Sequence, residues 1–483
     1  MRILMISAEG PPLQRTGALI DVIDALPKAL RARGHEVSVA LPFYREIAEN
    51  RTFKAKDTGI TVDVPVGDQI HVARYLEGRG TSGVQLFLIR CDEFFDRPGI
   101  YGERGKPYED NAARFVFFCK AALELARRLT PQLQILHVHD WAAALVPVFV
   151  HAQGLPFHTV LTIHHVADQG SFWGLDFQLT NLPERFFSLH GVEFFGRLNF
   201  LKGGILYADR ITTVSEHYRR EILTPGGGCG LDGVLRENAP RLSAILDGAD
   251  YARWNPAVDR LLPARYDAKC LRGKEICRET LLEKMKLASV PSGPVFGMVT
   301  RVVREKGFDI LVPLFDRLLW DDVRLIILGE GDPGYETALA LAARKFPHRF
   351  AYQKDYDETL AHLIQGGIDI SLIPSCFEPA ALSAMYNLKY GTLPVARVTG
   401  GIQEIIEDYD PIIDRGYGFL CYQYSSDAFW DAMKRARQIF RDQRLWTKLM
   451  RRAMSRNFSW DVSAGHYESL YMELIGETNK AVA

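Results

Sequence analysis

Charged side chains stand where predicted strands end in this sequence, and Glu378 is the clearest case. It follows the apolar run Ile368–Pro374, which predicts a buried strand, and precedes the helix-forming segment Ala380–Tyr390. Pro379 suits the first position of that helix, and Leu393–Ala396 predicts the next strand. Ligands of doubly wound α/β sheets bind at such strand ends. An acidic residue in a first helical turn is also common because it interacts favourably with the helix dipole, so both interpretations stand at this point.

Two cations follow another predicted strand. Arg301 and Lys306 come after Val295–Val299 and before the predicted helix Phe308–Leu319. Two positive charges at one strand-to-helix turn suit a diphosphate, and each charge-assisted contact contributes about 1.5–3 kcal/mol. The alternative is a loop with solvated charges, of which Arg304 beside them is an example.

The N-terminal segment has the same order of strand, loop and helix. Residues 2–8 predict a buried strand, Glu9 follows it, and Ala18–Arg33 keeps its apolar residues at helical spacing. Arg15 and Gly17 lie where the helix begins, so backbone N–H groups, the helix dipole and a guanidinium could bind phosphate there. A surface arginine in a turn is the alternative interpretation.

Imidazole, carboxyl and indole groups end two further predicted strands. Ile135–Val138 is followed by His139–Trp141, and Thr159–Ile163 is followed by His164 and His165. A single buried histidine is more often a core residue than a catalyst. Several polar residues at the C-terminal ends of strands in one sheet, together with the acidic residue after the first strand, favour a binding site at that sheet edge.

A glycine pattern in the second half of the chain resembles a dinucleotide-binding turn. Residues 329–334 fit G-x-G-x-x-G after the predicted strand Val323–Leu328, and Asp355 follows about twenty residues later, the spacing expected for a ribose ligand. The turn does not open the first strand–helix unit, and Pro333 with Gly334 should delay the helix that would receive the pyrophosphate. The position of the turn and the two residues Pro333 and Gly334 therefore disfavour a nicotinamide dehydrogenase.

Length and composition exclude several classes of protein. A chain of 483 residues should form two or more domains, and 58 Lys+Arg against 59 Asp+Glu leaves no bulk charge for nucleic acid or an anionic membrane. The 7 cysteines are scattered without a C-x-x-C pair, which predicts reduced thiols in a cytoplasmic protein rather than disulfides or a zinc site. The irregular stretch Ala249–Tyr266 separates two runs of alternating strands and helices and is interpreted as the passage between domains.

Taken together, the motifs resemble the bacterial glycogen synthase and plant starch synthase family. The matching segments span the chain nearly end to end: 15–22 (RTGALIDV), 137–141 (HVHDW), 162–170, 200–204 (FLKGG), 300–307 (TRVVREKG), 389–394 (KYGTLP), 399–401 (TGG) and 458–460 (FSW). Many retaining GT-B enzymes carry a second glutamate eight residues after the first. Here Tyr386 stands at that spacing from Glu378, as in glycogen and starch synthases and unlike sucrose synthase-like or trehalose-forming relatives.

The resemblance implies a fold and an activity. The fold is GT-B, an α/β architecture with two Rossmann-like doubly wound domains facing a central cleft. Residues 1–246 would form the acceptor-side domain, with the helix 461–475 packed back on it, and residues 247–460 the nucleotide-sugar domain. The activity is transfer of glucose, with retention, from ADP-glucose to the non-reducing end of an α-1,4-glucan. No cofactor, metal, nucleic acid or membrane is implied; the partners are a nucleotide sugar and an α-glucan.

The resemblance also assigns roles to residues. The catalytic group would be His164, Arg301, Lys306 and Glu378. Donor-binding residues would be Arg15, Gly17, Asp21, Asp247, Tyr356, Leu382, Tyr386 and Thr399. Acceptor-binding residues would be Glu9, Asp140, Trp141 and His165. The leaving diphosphate would help to deprotonate the acceptor hydroxyl, and stabilisation of its charge by the two cations would be the largest contribution of the protein.

Departures from the family pattern concentrate in this expected site. Arg15 replaces a lysine, and residues of altered type stand at Ala18, His165, Asp247, Asp355, Ala380 and Ala381. Asp247 adds a carboxyl where the family has asparagine, which is unfavourable beside an anionic donor unless a cation answers it. Two alternatives follow: a retaining transferase with another nucleotide-sugar donor or a small acceptor, and a catalytically weakened glucan-binding paralogue.

Overall fold

The computed structural model describes residues 1–13, 18–80, 83–103, 105–129, 133–289 and 293–482. The chain divides into two compact units. One comprises Met1–Gly248 together with Trp460–Ala483, and the other comprises Ala249–Ser459. The sequence prediction placed the first division after residue 246 and the second after residue 460, each within two residues of these positions.

The first unit is built on a nine-stranded sheet. Its strands and those of two small sheets are β1 (Arg2–Ile6), β2 (Glu36–Pro42), β3 (Lys56–Val66), β4 (Gln69–Arg79), β5 (Gln85–Arg90), β6 (Gly102–Glu103), β7 (Lys106–Pro107), β8 (Ile135–His139), β9 (His158–Ile163), β10 (Ser171–Trp173), β11 (Glu193–Phe194), β12 (Arg197–Asn199), β13 (Arg210–Thr213) and β14 (Leu242–Ala244). The order in the large sheet is β14-β13-β9-β8-β1-β2-β5-β4-β3. Its first seven strands are parallel, and β4 and β3 extend it as an antiparallel hairpin.

Helices cover this sheet. They are α1 (Ala18–Ala32), α2 (Arg45–Glu49), α3 (Asp92–Phe95), α4 (Asn111–Leu129), α5 (Asp140–Ala143), α6 (Leu145–Ala152), α7 (Phe200–Tyr207), α8 (Glu216–Ile222) and α9 (Asp232–Glu237). The central strands β1, β8 and β9 are buried almost throughout, as expected for parallel strands with helices on both faces.

The second unit holds a six-stranded parallel sheet in the order β17-β16-β15-β18-β19-β20. Its strands are β15 (Val295–Val299), β16 (Arg324–Leu328), β17 (Phe350–Gln353), β18 (Ile370–Ile373), β19 (Leu393–Arg397) and β20 (Phe419–Cys421). Its helices are α10 (Arg272–Lys284), α11 (Phe308–Leu311), α12 (Phe315–Leu319), α13 (Pro333–Lys345), α14 (Glu358–Gly367), α15 (Leu382–Lys389), α16 (Ile402–Ile405), α17 (Ser426–Phe440) and α18 (Gln443–Met454). The predicted α/β fold class is confirmed in both units.

The last helix, α19 (Trp460–Val482), belongs to the first unit. Near its start, Ser463 Oγ donates to Leu246 O at 2.6 Å. Further along, Glu468 accepts from Arg33 Nε at 2.8 Å, and the Tyr471 hydroxyl lies 2.8 Å from His137 Nδ1 in β8. Helix α19 therefore bonds directly to the strand that leads into the predicted acceptor residues. Within the described ranges, no helix has the length and apolar character needed to span a membrane.

The sequence also predicts a helix over Glu193–Tyr207, and the first half of that prediction is wrong. Residues 193–199 form the hairpin β11–β12, and α7 begins at Phe200. Phe195 and Gly196 both have positive φ, 49° and 75°, so they form a two-residue turn that no helix can contain. The side chain of Asn199 then accepts a hydrogen bond from Lys202 N and caps the helix.

The helix after Glu378 begins later than predicted. Ala381 adopts the left-handed conformation, φ 54° and ψ 40°, and α15 starts at Leu382 rather than at Pro379. Conversely, α13 begins at Pro333 itself, so the predicted delay by Pro333 and Gly334 is wrong. The predicted helix Phe308–Leu319 is divided by a 3-10 turn at Val312–Leu314, where Pro313 lacks a backbone N–H.

The stretch interpreted as a passage between domains is instead part of the second unit. Trp254 stacks on His362 with ring centroids 3.8 Å apart, and the Tyr266 hydroxyl donates to Tyr390 O at 2.8 Å. Asp259 is buried and accepts from Tyr390 at 2.5 Å. The irregular backbone of residues 249–266 misled the prediction because its anchors are single aromatic and acidic residues without a periodic pattern.

Candidate active site

An ion pair between Lys306 and Glu378 lies at the carboxyl ends of the strands in the second unit's sheet. Lys306 Nζ donates to Glu378 Oε2 at 2.6 Å, and their side chains are only 17% and 13% exposed. Ser375 Oγ donates to the same oxygen at 2.8 Å. No described residue donates a hydrogen bond to Oε1, so that oxygen remains available to a ligand. The two residues follow neighbouring strands, β15 and β18, at their C-terminal ends.

Two glycines let the backbone close around this pair. Gly307 has φ 80°, and a Cβ there would lie 2.2 Å from Pro374 O. Gly400 has φ 46°, and a Cβ there would lie 2.1 Å from Glu378 O. Gly401 N donates to Glu378 O at 3.1 Å and to Pro379 O at 2.8 Å. The Thr-Gly-Gly segment therefore holds the main chain of the glutamate in place, and only glycine permits the approach.

The other predicted cation is placed differently. Arg301 is 62% exposed, and its Nη2 lies 3.8 Å from Glu305 Oε2. A guanidinium held this loosely can reorient toward an anion, whereas Lys306 is already fixed. Of the predicted nucleotide residues, Tyr356 is also exposed.

Three more predicted donor residues lie in the packed interior beside Glu378. Leu382, Tyr386 and Thr399 are buried, and the Tyr386 ring stacks on Trp254 with centroids 4.7 Å apart. The tyrosine at the second-glutamate spacing thus fills an aromatic stack. Its role toward a donor stays a prediction.

In the first unit, Asp140 joins the ends of β8 and β9. It has φ 54°, and its Oδ1 accepts from His164 N at 2.7 Å and His165 N at 3.3 Å. Burial raises the pKa of Asp140 to about 7, although the two backbone N–H groups oppose the shift. Asp140 is predicted to contact the acceptor, but one of its carboxyl oxygens already accepts hydrogen bonds from the backbone of His164 and His165.

Three histidines form a buried row behind this loop. His137 Nε2 lies 2.6 Å from Thr162 Oγ1, and the rings of His137 and His139 are 4.2 Å apart. His139 Nδ1 lies 3.1 Å from His164 Nε2. Burial lowers the pKa of His164 to about 3, so its imidazole is neutral near neutral pH. A neutral His164 can orient polar groups but does not supply positive charge to a phosphate.

Asp247 lies beside this row of histidines, in surroundings that are unusual for a carboxyl group. Its side chain is buried, and both carboxyl oxygens lack a hydrogen-bond partner among the described residues. Its Oδ2 is 4.0 Å from His164 Nδ1. Burial, reinforced by the charges of Asp140 and Asp21, raises the pKa of Asp247 well above its usual range. The structure therefore favours a protonated, uncharged carboxyl, closer to the asparagine of the family pattern than the sequence alone suggested.

The remaining acceptor-side predictions fall on the same edge. The Tyr101 hydroxyl donates to Glu9 Oε1 at 2.8 Å, and His165 Nδ1 lies 3.2 Å from Asp168 Oδ2. Trp141 is half-buried at the centre of an aromatic cluster. Its ring centroid lies between 4.8 and 6.2 Å from those of Tyr101, Phe115, Phe172 and Phe200.

Much of the Trp141 ring is committed to packing. A Cβ on Gly170 would come within 2.3 Å of its Cε3 atom, so the glycine backbone lies against one side of the indole. The predicted stacking on sugar would use the part of the ring that remains exposed. Tyr101 and Ser375, which orient the two glutamates, were not predicted because no spacing pattern marks either residue.

Some predicted residues cannot be placed. Arg15 and Gly17 lie outside the described residues, and the side chain of Ala18 is likewise not described. Phosphate binding by the loop that holds Arg15 and Gly17 stays a prediction.

The dinucleotide-like glycine turn has a structural role. Asp332 Oδ1 accepts from Gly334 N at 2.7 Å and Tyr335 N at 3.4 Å, so the amides that would bind pyrophosphate are capped by a carboxylate. Gly329 and Gly331 press against the backbone after β15: Cβ atoms there would lie 1.8 Å from Thr300 O and 2.3 Å from Val302 O. The alternative of a dinucleotide site is therefore disfavoured by the structure as well.

Among the described residues, one group has metal-ligand geometry. The potential ligand atoms of His71, Cys91 and Glu93 lie within 4.8 Å of one another. Burial raises the pKa of Cys91 to about 11, which disfavours the thiolate that a metal needs. The group contains none of the predicted site residues.

Comparison with known proteins identifies the family of this chain. Residues 2–237 match the family model described as the starch synthase catalytic domain, and residues 282–453 match that of glycosyl transferases group 1. The glycogen synthase of Opitutus terrae is 40% identical over 98% of this chain and 100% of the relative. The glycogen synthase of Anaeromyxobacter dehalogenans strain 2CP-1 is 41% identical over 98% of this chain and 99% of the relative.

A solved structure agrees. The catalytic domain of starch synthase IV from Arabidopsis thaliana, bound to ADP and acarbose, superposes with a TM-score of 0.91 at 30% identity and covers 98% of this chain and 99% of that one. The resemblance inferred from the sequence motifs is confirmed. This chain belongs to the glycogen synthase and starch synthase family of retaining GT-B glycosyltransferases.

Proposed function

We propose that this enzyme transfers glucose from ADP-glucose to the non-reducing end of an α-1,4-glucan with retention of configuration. The observation that carries the proposal is the Lys306–Glu378 ion pair at the ends of β15 and β18, in a chain that aligns with glycogen synthases over 98% of its length. A fixed cation beside a carboxylate with one available oxygen suits a substrate that joins a diphosphate to a sugar.

Lys306 and Arg301 would act on the diphosphate. In the transfer, the bond between the sugar C1 and the β-phosphate oxygen breaks, and a bond from C1 to the acceptor hydroxyl oxygen forms on the same face. The proton of that hydroxyl passes to the departing diphosphate. Negative charge grows on the diphosphate as it leaves, so cations already in place stabilise the transition state more than the ground state.

Glu378 would orient the donor sugar. Its Oε2 is occupied by Lys306 and Ser375, which leaves Oε1 to accept hydrogen bonds from sugar hydroxyls. Because the carboxylate is fixed by two hydrogen bonds and its backbone by Gly401, little conformational entropy would be lost on binding.

The first unit would supply neutral polar groups and the acceptor contacts. His164, uncharged because of its burial, would hydrogen-bond sugar without attracting the diphosphate away from Lys306. Asp247 in its protonated form would donate as well as accept a hydrogen bond. Glu9, Trp141 and His165 would contact the acceptor, and Asp140 would position the His164-His165 backbone.

A second candidate is the same chemistry with another nucleotide sugar or a smaller acceptor. The observation that favours it is Asp247, a buried carboxyl with no hydrogen-bond partner among the described residues, which could select a donor with a hydrogen-bonding group different from that of glucose. The other alternative, a weakened glucan-binding paralogue, is disfavoured by the intact ion pair.

The proposal needs neither a metal nor an organic cofactor. The partners would be a nucleotide sugar and an α-glucan. The cysteines that the structure describes are all free thiols, which fits a reducing compartment, and we place the enzyme in the cytoplasm.

The test is transfer of label from radioactive ADP-glucose to glycogen, with the Glu378→Ala variant as the control for residue-dependent turnover. Labelled polymer from the wild type and its loss in the variant would support the proposal. No labelled polymer at high enzyme concentration would contradict it, and nucleotide release from a different sugar donor would favour the second candidate.

A further inference from the structure

The indole of Trp254 stacks on two rings that come from different helices of the second unit. The centroid of the His362 ring in α14 lies 3.8 Å away, with the two planes inclined by 11°. The Tyr386 ring in α15 lies 4.7 Å away at 15°, and all three side chains are buried. We call Trp254, His362 and Tyr386 the ring stack. Because Tyr386 is a predicted donor-binding residue, the ring stack joins the segment 249–266 to the predicted donor site.

The imidazole of His362 is held in place by carboxylates. Its Nδ1 lies 2.7 Å from Asp259 Oδ2, and its Nε2 lies 3.8 Å from Glu358 Oε1. The Tyr390 hydroxyl donates to the same Asp259 oxygen at 2.5 Å. Burial alone would raise the pKa of Asp259, yet the hydrogen bonds from His362 and Tyr390 outweigh it and lower that pKa below its usual range. Asp259 is therefore a charged acceptor that fixes the orientation of the imidazole.

Trp254 is also held from its own segment. Arg253, the residue before it, forms an ion pair with Glu358 at the start of α14. The Tyr390 ring makes an edge contact with the indole, with centroids 6.4 Å apart and planes at 66°. Residues four positions apart lie on one face of a helix, so Tyr386 and Tyr390 both meet the indole from the same side of α15. Trp254 therefore supports one whole face of this helix.

The ring stack has features that a purely apolar core does not require. Aromatic pairs favour offset or edge-to-face contacts with centroids about 4.5–7 Å apart, and Trp254 lies closer than that to His362. The atoms Trp254 Nε1 and His362 Nε2 are buried and have no hydrogen-bond partner within the described ranges. Apolar side chains of the same shape would avoid the cost of these two atoms. A costly polar stack beside a predicted donor residue points to a role beyond packing.

We propose that Trp254 is a positioning residue for the nucleotide-sugar donor and acts by holding Tyr386 in one orientation. The inference rests on the proposed function for the contact between Tyr386 and the donor. Helix α15, which carries Tyr386, begins at Leu382, shortly after Glu378. A ring that is already fixed loses little conformational entropy when the donor binds. Without a flat side chain at position 254, Tyr386 can reorient, and the donor must order it on binding.

The test compares substitutions of Trp254 with a control tryptophan in the same unit. Trp254→Leu and Trp254→Met remove the flat ring but keep an apolar side chain, and the flexible methionine can fill the gap if leucine prevents folding. Trp254→Phe keeps a ring in the stack. The control is Trp446→Leu, because Trp446 is also buried, stacks on Phe419 with planes at 6°, and has an Nε1 atom that lacks a hydrogen-bond partner in the part of the chain described.

Steady-state kinetics separates positioning from a loss of stability. We expect Trp254→Leu and Trp254→Met to raise the KM for the donor about tenfold, as a misplaced contact does, and to leave the KM for glycogen unchanged. Trp254→Phe should keep the donor KM close to that of the wild type. Trp446→Leu should lower Tm as Trp254→Leu does but leave the donor KM unchanged, since unfolding reduces the amount of active enzyme and not its KM.

Two results would overturn the inference. A wild-type donor KM in both Trp254→Leu and Trp254→Met would show that Tyr386 is placed without the indole. An equal rise of the donor KM in Trp446→Leu would show that loosened packing anywhere in the second unit has the same effect. The comparison uses the nucleotide sugar that the wild type transfers fastest, so it decides this inference even if ADP-glucose proves not to be the donor.

Discussion

At the scale of single residues, Lys306 and Glu378 are paired through one carboxylate oxygen while the other remains available. We expect Lys306→Ala to lower kcat/KM for ADP-glucose by about 10²–10³-fold, because the variant lacks the fixed cation that stabilises the departing diphosphate. Steady-state kinetics with glycogen as acceptor, alongside thermal unfolding of the same sample, gives the measurement.

The matched control is Arg304→Ala, which removes an 80% exposed cation from the same turn. Its kinetics should remain those of the wild type. Equal losses in the two variants would show that Lys306 contributes only to the general positive charge of the loop.

The buried carboxyl of Asp247 should make the stability of the folded protein depend on pH. Burial raises the pKa of Asp247 well above 3.8, so the folded protein retains a proton that the unfolded chain releases. The stability contributed by that proton is present at low pH and is lost as pH rises from about 4 through the folded pKa. We expect Tm of the wild type to fall more steeply than Tm of Asp247→Asn between pH 5 and pH 8.

The variant should therefore be the more stable protein at pH 8. Asp140 also has a raised pKa, and its charge reinforces the raised pKa of Asp247, so the difference between the two proteins reports the Asp247 carboxyl together with its coupling to Asp140. Parallel Tm curves for the two proteins would mean that the carboxyl ionises as easily in the folded chain as in water.

The types and positions of the site residues could be predicted from the sequence more readily than their protonation and hydrogen bonding. The strand-end pattern pointed to Glu378, Lys306 and His164, and the structure places all three at strand ends. It did not foresee that Asp247 would be buried without a partner or that Asp140 would bind backbone N–H groups. Protonation and hydrogen bonding depend on neighbours from distant segments, which spacing along the chain does not reveal.

At the scale of elements, glycines fix the loop that carries Glu378. Gly400→Ala would place a Cβ 2.1 Å from Glu378 O at a φ of 46°. We expect this variant to lose about 10²-fold in kcat/KM, since a displacement of about 1 Å in a positioning residue is enough for such a loss. The strain should also lower stability by about 1–3 kcal/mol in denaturant unfolding.

Gly226→Ala is the control for this substitution, because a Cβ there meets no atom within 4 Å. It should change neither kinetics nor stability. Wild-type kinetics in Gly400→Ala would show that the main chain of Glu378 need not be held by the glycine.

Element types were predictable where apolar periodicity was strong, and boundaries were not. The central parallel strands of both units follow the predicted runs closely, whereas the short edge strands β14 and β20 were not predicted. The predicted helix over Glu193–Tyr207 fails in its first half, because Phe195 and Gly196 with positive φ turn β11 into β12. The start of α15 shifted because Ala381 adopts a left-handed conformation that alanine seldom takes.

At the scale of the whole molecule, the chain returns to its first unit through α19. Tyr471→Phe would leave His137 Nδ1 buried without the hydroxyl that now lies 2.8 Å away. We expect a loss of about 1–3 kcal/mol in the free energy of unfolding, the cost of an unsatisfied buried polar atom. Tyr422→Phe, at an exposed position, should have no effect in the same denaturant titration. Equal stability of the two variants would contradict the contact.

The two-unit organisation and the family could be inferred from the sequence, because the motifs are spread along both halves of the chain. The packing of residues 249–266 into the second unit could not, since their anchors Trp254, Asp259 and Tyr266 pair with residues about 100 or more positions away.

The most direct test of the central claim is to follow the reaction of ADP-glucose with a maltooligosaccharide by proton NMR, beside UDP-glucose and other nucleotide sugars under the same conditions. We predict new α-1,4-linked glucose at the non-reducing end, formed fastest from ADP-glucose and absent with Glu378→Ala. A product of inverted configuration, or faster transfer from another nucleotide sugar with none from ADP-glucose, would contradict it.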